Sequence, residues 1–258
     1  MQKTVLITGC SSGIGLVAAK DLKNRGYRVL AACRKPDDVV KMTQMGLEGI
    51  ELDLDDSDSV ERAAAQVIEL TGGRLYALFN NGGFGLYGPL HTISRQQLEK
   101  QFSTNLFGTH QLTQLLLPAM LPHSEGRIIQ TSSVMGLVST AGRGAYAASK
   151  YALEAWSDAL RMELHGSGIH VSLIEPGPIS THFTQNVNQA EADKPVNNPG
   201  IAKRFTLPPE SILPKLRHAL ESPRPQLRYP VTLVAHALTI LRRILPGRML
   251  DKVLRGNS

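Results

Sequence analysis

The sequence of 258 residues has few of the features that define whole classes of protein. It contains only two cysteines, Cys10 and Cys33, which excludes a disulfide framework and indicates two small buried residues. It has no run of the ~20 apolar residues that a membrane-spanning helix requires. Its eight histidines include no metal-ligand spacing such as HExxH, so no metal site is predicted.

The composition is that of a soluble globular protein, with 42% hydrophobic and 19% charged residues. The chain opens on a strand pattern, KTVLITG, rather than on a charged and then apolar leader, so a cytoplasmic location is expected. The formal net charge of +6 is concentrated in residues 201–258, which hold 11 Lys and Arg against 3 Asp and Glu. This basic tail lacks interleaved aromatic residues, so nucleic-acid binding is not predicted.

A glycine-rich stretch, TGCSSGIG at residues 8–15, follows the first predicted strand and opens a predicted helix. A dinucleotide-binding turn requires this context, because glycines let the backbone approach a pyrophosphate and the helix N-terminus supplies free N–H groups. The spacing is TGxxxGxG rather than the more familiar GxGxxG. The stretch therefore predicts a phosphate-binding turn.

The segment around which the chain is organised runs from Thr131 to Lys150 and contains Ser133 and Tyr146. Tyr146 and Lys150 are four residues apart, so they share one face of a helix. An ammonium beside a phenol lowers a pKa that starts near ~10, which makes the tyrosine a proton donor and acceptor near neutrality. Ser133 is placed to bind the same substrate oxygen. The alternative is a surface tyrosine and lysine on an ordinary helix, because an isolated YxxxK is a short pattern.

Polar residues follow the ends of the next three predicted strands. Arg34 and Lys35 follow the second strand, where cations favour the 2′-phosphate of NADP(H) over NAD(H), unless they are a solvated surface pair. Asp53 closes the third strand and either accepts a hydrogen bond from an adenine amino group or caps the next helix. The fourth strand ends in NNGG at residues 80–83, where ligands collect in parallel sheets.

Asn105 lies within a long helical segment, residues 95–121, where asparagine is locally unfavourable. Such a break is either functional or a tolerated kink. Apolar residues in the neighbouring loops suggest a pocket for medium or long aldehydes, retinoids or steroids. These residues are Phe84, Leu86, Tyr87, Met135, Leu137, Val138 and Phe183. For Phe84, Leu86 and Tyr87, loose core packing is the alternative. Arg143 and His182 either add a polar contact there or face solvent.

Strand and helix patterns alternate along the chain, which predicts an α/β fold built from parallel βαβ units. The expected architecture is a single Rossmann-type domain over residues 1–258, with a doubly wound, parallel, seven-stranded sheet and helices on both faces. The predicted strands are residues 3–8, 27–33, 49–54, 75–79, 127–131, 169–175 and 227–232. Residues 182–208 lose periodicity and are predicted to form a substrate loop or lid.

Residues 232–258 are predicted to form a small helical extension. Its apolar residues are accompanied by five cations, Arg242, Arg243, Arg248, Lys252 and Arg255. The segment either packs on the domain, pairs subunits, or lies on an anionic membrane surface. Packing is favoured over membrane contact.

Together these residues resemble the short-chain dehydrogenase/reductase family over about residues 3–185. The motifs occur in the family's order, and their joint occurrence is specific although each one alone is weak. An alanine is commoner in the family where Gly82 stands. Residues 227–232, the tail and the PGPIxT turn resemble the branch of 17β-hydroxysteroid and retinol dehydrogenases and bacterial NADP-dependent aldehyde reductases. The motifs are TGCSSGIG, NNGG, Asn105, Ser133, Tyr146 with Lys150, and the turn at Pro176 and Gly177.

The resemblance implies roles for individual residues. Tyr146 would be the acid/base, and Asn105 would orient a water that links Lys150 to solvent. The implied catalytic residues are Asn105, Ser133, Tyr146 and Lys150. The implied substrate-binding residues are Ser133, Phe84, Met135, Tyr146 and Phe183. The implied cofactor-binding residues are Gly9, Ser11, Ser12, Gly13, Ile14, Arg34, Lys35, Asp53, Leu54, Asn81, Gly82, Tyr146, Lys150, Pro176, Gly177, Ile179 and Thr181.

The expected function is an NADP(H)-dependent oxidoreductase that transfers a hydride between nicotinamide and a carbonyl or alcohol. Reduction of apolar aldehydes is favoured, with retinoid- or steroid-like ketones as further candidates. The alternatives are a non-catalytic dinucleotide-binding sensor or scaffold and a methyltransferase on a similar sheet; the four implied catalytic groups favour the enzyme. The resemblance also implies a homodimer or homotetramer formed through helices at residues 105–121 and 146–166.

Overall fold

A computed structural model describes residues 2–181, 188–189 and 206–255. Within these residues, seven strands form one parallel sheet in the order β3-β2-β1-β4-β6-β7-β9. The predicted doubly wound sheet is confirmed. Its strands are β1 (Thr4–Thr8), β2 (Arg28–Cys33), β3 (Glu48–Glu51), β4 (Ala77–Asn80), β6 (Gly126–Thr131), β7 (Ile169–Glu175) and β9 (Arg228–Pro230).

Helices cover both faces of this sheet, which explains why its central strands are nearly continuous apolar runs. One face packs against helices α1 and α7, and the other packs against α3 and α5. All five residues of β1 are buried as a result. The helices are α1 (Gly13–Asn24), α2 (Pro36–Gln44), α3 (Ser57–Thr71), α4 (Arg95–Phe102), α5 (Gly108–Leu116), α6 (Gly144–Glu163), α7 (Leu213–Glu221), α8 (Leu233–Ile244) and α9 (Gly247–Arg255).

The third strand is shorter than predicted, and this changes the position of Asp53. The strand ends at Glu51, so Asp53 lies in the following turn, where its Oδ1 accepts a 3.0 Å hydrogen bond from the N–H of Asp55. The prediction that Asp53 caps the next helix is wrong. Asp56 is the N-cap of α3 and accepts from the N–H of Asp58. A sequence with four acidic residues between 53 and 58 offers several capping candidates.

The predicted break at Asn105 is confirmed. Residues Ser103–Phe107 form a π-helical turn between α4 and α5, and Asn105 within it is buried. A π turn inserts an extra residue into a helix and so redirects the side chains that follow it. Here the turn points an amide side chain into the protein rather than to solvent.

The structure also contains a small second sheet that was not predicted from the sequence. Strand β5 (Leu86–Tyr87) pairs in parallel with β8 (Asn188–Gln189). Farther along the chain, Leu207 pairs with Ile179, and Ser180 donates to the Leu207 carbonyl at 2.8 Å. The rest of the predicted lid, residues 182–187 and 190–205, lies outside the described residues, as do His182 and Phe183.

The two C-terminal helices pack on the domain through one face each. Ala235 and Leu238 of α8, with Leu250 and Leu254 of α9, join a cluster that includes Tyr146. Packing of the tail, which was the favoured alternative, is therefore confirmed for these inner faces. No helix in the described part of the chain has the length and apolarity to cross a bilayer.

A partly buried group of charges joins α6, β7 and β9. The Nε of Arg228 lies 3.0 Å from Glu154 and 3.3 Å from Glu175, and its Nη2 lies 2.6 Å from Asp158. Glu175 is fully buried, and one guanidinium serves three carboxylates. Burial raises the pKa of Glu175 from 4.5 to about 8, Glu154 adds to this rise, and Arg228 opposes it.

This raised pKa predicts a pH-dependent stability. The folded protein keeps the Glu175 proton where the unfolded chain has lost it, so this contribution is complete below pH 4.5 and is lost as the pH rises to about 8. Glu175→Gln should remove it and flatten the stability curve by up to ~1.4 kcal/mol per pH unit. Denaturant unfolding of both proteins at several pH values across this window would measure the difference.

The matched control is Glu51→Gln, which neutralises an exposed carboxylate at the end of β3. Glu51→Gln should leave the slope of the unfolding free energy against pH unchanged. An unaltered slope in Glu175→Gln would show that Glu175 is already ionised at neutral pH in the folded protein.

Candidate active site

The predicted site residues meet at one edge of the sheet. Thr8 ends β1, Asn81 follows β4, Ser133 follows β6 and Pro176 follows β7. These four strands are neighbours in the sheet and run parallel, so their carboxyl ends form one crevice. The turn after β7 also contacts the turn after β6, because the N–H of Val134 donates to the Pro176 carbonyl at 2.9 Å.

The glycine-rich turn forms a tightly packed cradle at the start of α1. Gly9 and Gly13 have φ of 72° and 55°, in the left-handed region that favours glycine. A Cβ atom at Gly9 would lie 2.8 Å from the Cα of Gly82, and one at Gly15 would overlap the Gly9 carbonyl oxygen. Ser12 is the N-cap but makes no side-chain capping bond. The first N–H groups of α1 are therefore available to an anion.

A network of hydrogen bonds ties the loop after β4 to the loop after β1. The Thr8 hydroxyl oxygen accepts from the N–H groups of Asn81 at 2.9 Å and Gly82 at 2.8 Å. Asn81 donates back to the Thr8 carbonyl at 3.0 Å and accepts from the Thr131 hydroxyl at 3.2 Å. Asn81 thus holds three strand ends together. Thr8 is not among the site residues predicted from the sequence, although it is the first residue of the glycine-rich motif.

The other residues implied in cofactor binding border this cradle. A Cβ atom at Gly82 would lie 2.8 Å from Leu54, which therefore occupies the space that an alanine would need. A Cβ atom at Gly13 would lie 3.1 Å from Thr181, so the turn after β7 reaches the start of α1. Ile14 packs against the core. Gly177 lies against Thr232, whose hydroxyl would overlap a Cβ atom at this position.

The exposed end of β2 carries the two predicted cations. Arg34 and Lys35 are both solvent-exposed, and neither forms an ion pair with any residue that the structure describes. The acidic residues that open α2 do not occupy them, because Asp38 pairs with Lys41 at 2.8 Å. Two exposed cations near the glycine-rich turn, unpaired among the described residues, have the chemistry to bind a phosphate group.

Ser133, Tyr146 and Lys150 lie together, all buried. The Lys150 Nζ donates a 2.7 Å hydrogen bond to the Thr131 carbonyl and lies 5.9 Å from the centre of the Tyr146 ring. Ser133 accepts from the N–H of Met135 at 3.1 Å and hydrogen-bonds Tyr146. Tyr146 and Lys150 therefore place the phenol and the ammonium on the same side of α6, as their spacing predicted.

The expected lowering of the Tyr146 pKa by Lys150 does not appear in the structure of the chain alone. Burial raises the pKa of Tyr146 above its usual range, Tyr87 adds to this rise, and the Ser133 hydrogen bond and Arg143 oppose it. Burial also lowers the pKa of Lys150 to about 8, against the attraction of Glu154. Both groups have lost hydration, and the Lys150 ammonium is directed to a backbone carbonyl. This loss of hydration sets the direction of both pKa shifts.

Asn105 links the π turn to the loop that carries Phe84. Its Oδ1 accepts from the N–H of Phe84, and its Nδ2 donates to the Phe84 carbonyl, both at 3.0 Å. Nδ2 also donates to Ser149 at 3.1 Å, and Ser149 donates to the Tyr146 carbonyl at 2.8 Å. Asn105 therefore positions the α6 backbone at Tyr146. Ser149 is not among the site residues predicted from the sequence, although it lies in the YxxxK segment.

Gly83 lies between Asn105 and Lys150. A Cβ atom at this position would be 3.0 Å from the Oδ1 of Asn105 and 3.9 Å from the Nζ of Lys150. Gly83 belongs to the NNGG motif, but no individual role for it was predicted from the sequence. Gln101, also buried, supports the same loop by accepting from the N–H of Leu86 at 2.6 Å and donating to the Phe84 carbonyl at 2.9 Å.

An apolar cluster adjoins Tyr146. Met135 and Val138 are buried in it, and Tyr87 packs edge-on against the Tyr146 ring with a centroid distance of 5.9 Å. Arg143 stacks on Tyr87 at 5.2 Å rather than facing solvent alone. Phe84 is held through its backbone. The predicted contribution of Phe183 lies outside the described residues.

Comparison with known proteins identifies related sequences. Residues 3–192 match the sequence profile of the family described as short chain dehydrogenase. The chain is 68% identical over 256 residues to the Escherichia coli protein named uncharacterized oxidoreductase YbbO, covering 99% of this chain and 95% of that protein. It is 32% identical over 269 residues to Homo sapiens retinol dehydrogenase 8, covering 94% and 85%. It is 31% identical over 274 residues to the NADPH-dependent 3-dehydrocapnine reductase of Ornithobacterium rhinotracheale, covering 98% and 96%.

Solved structures share the fold. A short-chain dehydrogenase from Streptomyces avermitilis has a TM-score of 0.83 at 29% identity, covering 93% of this chain and 91% of that chain. The closed form of a serine dehydrogenase complexed with NADP+ has a TM-score of 0.79 at 25% identity, covering 90% of this chain and 95% of that chain. The similarity extends along nearly the whole length of each protein.

The position of Gly83 predicts a sensitive variant. Gly83→Ala should lower turnover roughly tenfold, because the added methyl group pushes on Asn105 and crowds Lys150. Steady-state kinetics and the midpoint of thermal unfolding would separate lost positioning from lost folding. Gly247→Ala is the matched control, since a Cβ atom there would meet no other atom within 4 Å. Full activity in Gly83→Ala would show that this close approach does not position the site.

Proposed function

The chain belongs to the short-chain dehydrogenase/reductase family, and we propose that it is an NADP(H)-dependent reductase of apolar aldehydes and ketones. The observation that carries this proposal is the burial of Ser133, Tyr146 and Lys150 together beside an apolar cluster. A phenol proton donor and a second hydrogen-bond donor at one point suit a carbonyl oxygen on which negative charge develops. The family is one of oxidoreductases, so the methyltransferase alternative has no support.

The residues present fit a dinucleotide with a 2′-phosphate. The cradle at Gly9 and Gly13 leaves no room for side chains, and the start of α1 offers N–H groups for the pyrophosphate. Arg34 and Lys35 would hold the 2′-phosphate, and Thr181 would contact the nicotinamide end. The cofactor supplies the hydride when it is bound. The NADP+ complex of the related serine dehydrogenase supports this choice of cofactor.

The protein's own residues account for the proton chemistry. Tyr146 donates a proton to the substrate oxygen as charge develops there, and Ser133 donates a second hydrogen bond to the same atom. Removing one such donor typically lowers turnover by ~10²–10³-fold. Lys150 carries a positive charge below about pH 8 and stabilises the phenolate that Tyr146 leaves behind. Asn105, through Ser149, holds the helix that carries both groups.

An apolar carbonyl compound is the substrate class that the site supports best. The cluster beside Tyr146 presents Tyr87, Met135 and Val138. Two relatives that match almost the whole chain are named retinol dehydrogenase 8 and NADPH-dependent 3-dehydrocapnine reductase, and retinol is an apolar alcohol. Medium and long aldehydes are the first candidates, followed by retinoid- and steroid-like ketones.

A homodimer or homotetramer is part of the proposal. The helices expected to pair expose large apolar side chains, Phe107 in the π turn and Met162 on α6. Trp156 of α6 packs edge-on against His110 of α5, so the two helices form one continuous surface. Such a surface suits a second copy of the chain.

Tyr146→Phe tests the assigned proton donor. The variant should lose at least ~10³-fold in turnover and keep most of its NADPH affinity, because only one hydroxyl is removed. Oxidation of NADPH with a panel of aldehydes and ketones, together with fluorescence titration of NADPH, would measure both quantities. Tyr27→Phe is the control, since it removes an exposed hydroxyl that contacts Glu221 far from the site.

Two outcomes would contradict this assignment. Turnover retained by Tyr146→Phe would exclude Tyr146 as the acid. Tight NADPH binding by the unaltered protein with no turnover on any carbonyl compound would favour a cofactor-binding sensor.

Arg34→Ala tests the cofactor preference. Loss of a cation at the end of β2 should weaken NADPH binding by roughly tenfold or more and leave NADH binding nearly unchanged, because only NADPH carries the 2′-phosphate. Titration with both cofactors would measure the ratio. Arg62→Ala, which removes an exposed cation from α3, should leave both affinities unchanged. Equal losses for the two cofactors in Arg34→Ala would remove the basis of the NADP(H) assignment.

A further inference from the structure

The outer faces of the two C-terminal helices, α8 and α9, have the pattern of a membrane-surface element. We propose that these faces dock the protein on an anionic lipid bilayer. The docking surface consists of the exposed apolar residues of α8 and α9 together with the cations beside them. This inference concerns binding and does not depend on the reaction.

The outer face of α8 is an apolar stripe. Leu233, Ala237, Ile240 and Ile244 follow the spacing i, i+4, i+7, i+11, which places them on one side of the helix. All four are exposed, and the three large residues have exposures of 77%, 56% and 70%. Exposed isoleucine and leucine in one line are unusual for a helix whose opposite face already packs on the domain.

Helix α9 repeats the arrangement. Met249 and Val253 are four residues apart and are 53% and 51% exposed. Leu250 and Leu254, which directly follow them in sequence, lie on the adjoining side of the helix and pack against the domain. Both helices therefore pack apolar residues on the domain and leave further apolar residues exposed in the part of the chain that the structure describes. The short link Leu245–Pro246 joins them without a long loop.

Cations accompany the outer faces. Arg248, Lys252 and Arg255 form an exposed row on α9 with the spacing i, i+4, i+7. Arg255 lies 4.0 Å from Asp251, the single acidic residue among residues 233–255. Arg242 of α8 stacks on Tyr151 and does not join this row. An apolar stripe next to a basic row matches the acyl region and the headgroups of an anionic bilayer.

An exposed apolar face could bind either a second copy of the chain or a bilayer. The positive charge of this surface favours the bilayer. Two copies of the chain paired through this face would bring their basic rows together around a symmetry axis, which is unfavourable. A bilayer with anionic headgroups attracts the same rows. The protein would lie on the surface, because α8 is only 12 residues long.

The location of this surface connects it to the site. The inner faces of α8 and α9 pack on the cluster that contains Met135, Val138 and Tyr146. Docking through the outer faces would therefore hold the apolar side of the site close to the lipid phase, where apolar compounds are concentrated.

Sedimentation with vesicles tests the proposal on the full chain. Vesicles of phosphatidylglycerol and phosphatidylcholine should bind the protein at least roughly tenfold more tightly than vesicles of phosphatidylcholine alone, and added salt should weaken the binding. The double variant I240D and I244D, and separately R248E and K252E, should each lower the affinity by at least about tenfold. Val40→Asp, a change at a 54% exposed residue of α2, is the matched control and should bind like the unaltered protein.

The midpoint of thermal unfolding shows whether each variant is folded. Vesicle binding is measured without substrate or cofactor, so the test remains valid even if the proposed reaction is wrong. Light scattering after gel filtration reports self-association. The proposal is overturned if the unaltered protein does not bind anionic vesicles at low salt. It is also overturned if both double variants bind as well as Val40→Asp. Dissociation of an oligomer by the I240D and I244D changes, without vesicle binding by the unaltered protein, would assign this face to a second copy instead.

Discussion

The buried ammonium of Lys150 is the contact on which the site depends. Its 2.7 Å hydrogen bond to the Thr131 carbonyl fixes α6 against the end of β6, from which the chain leads directly to Ser133. A buried cation without such an acceptor would be costly, so the position of the helix and the ionisation of the lysine are linked. Burial lowers the pKa of Lys150 to about 8, near enough to neutrality for its charge to respond to what enters the site.

The cradle formed by the glycine-rich turn at the start of α1 depends on the absence of side chains. Backbone atoms at Gly9, Gly15 and Gly82 approach so closely that a methyl group at any of them would collide with the neighbouring loop or with Leu54. Thr8 and Asn81 add the hydrogen bonds that hold these bare segments in register. Close packing and polar ties together give a rigid turn, which lets N–H groups face an anion without rearrangement.

Much of this arrangement could be predicted from the sequence because periodicity and spacing are local signals. Alternating strand and helix patterns gave the seven-stranded sheet, and the spacing of Tyr146 and Lys150 gave their common face. Asn105 within a helical segment correctly marked the π turn. The hydrogen bond from Ser149 to Tyr146, the placement of Gly83 and the raised pKa of Tyr146 depend on burial and on contacts across the chain, which no local pattern contains. Asp53 was misplaced because the strand ended earlier than its apolar pattern indicated.

Helix α6 joins the chemistry to the stability of the protein. Tyr146, Lys150 and Glu154 follow one another at intervals of four residues, so the site and the partly buried group of charges share one face of one helix. Glu154 attracts the Lys150 ammonium and also contacts Arg228, which serves Glu175 and Asp158 as well. The attraction of Glu154 opposes the loss of charge that burial favours at Lys150. A residue that anchors β9 therefore also helps to keep Lys150 protonated, which couples the edge of the sheet electrostatically to the candidate site.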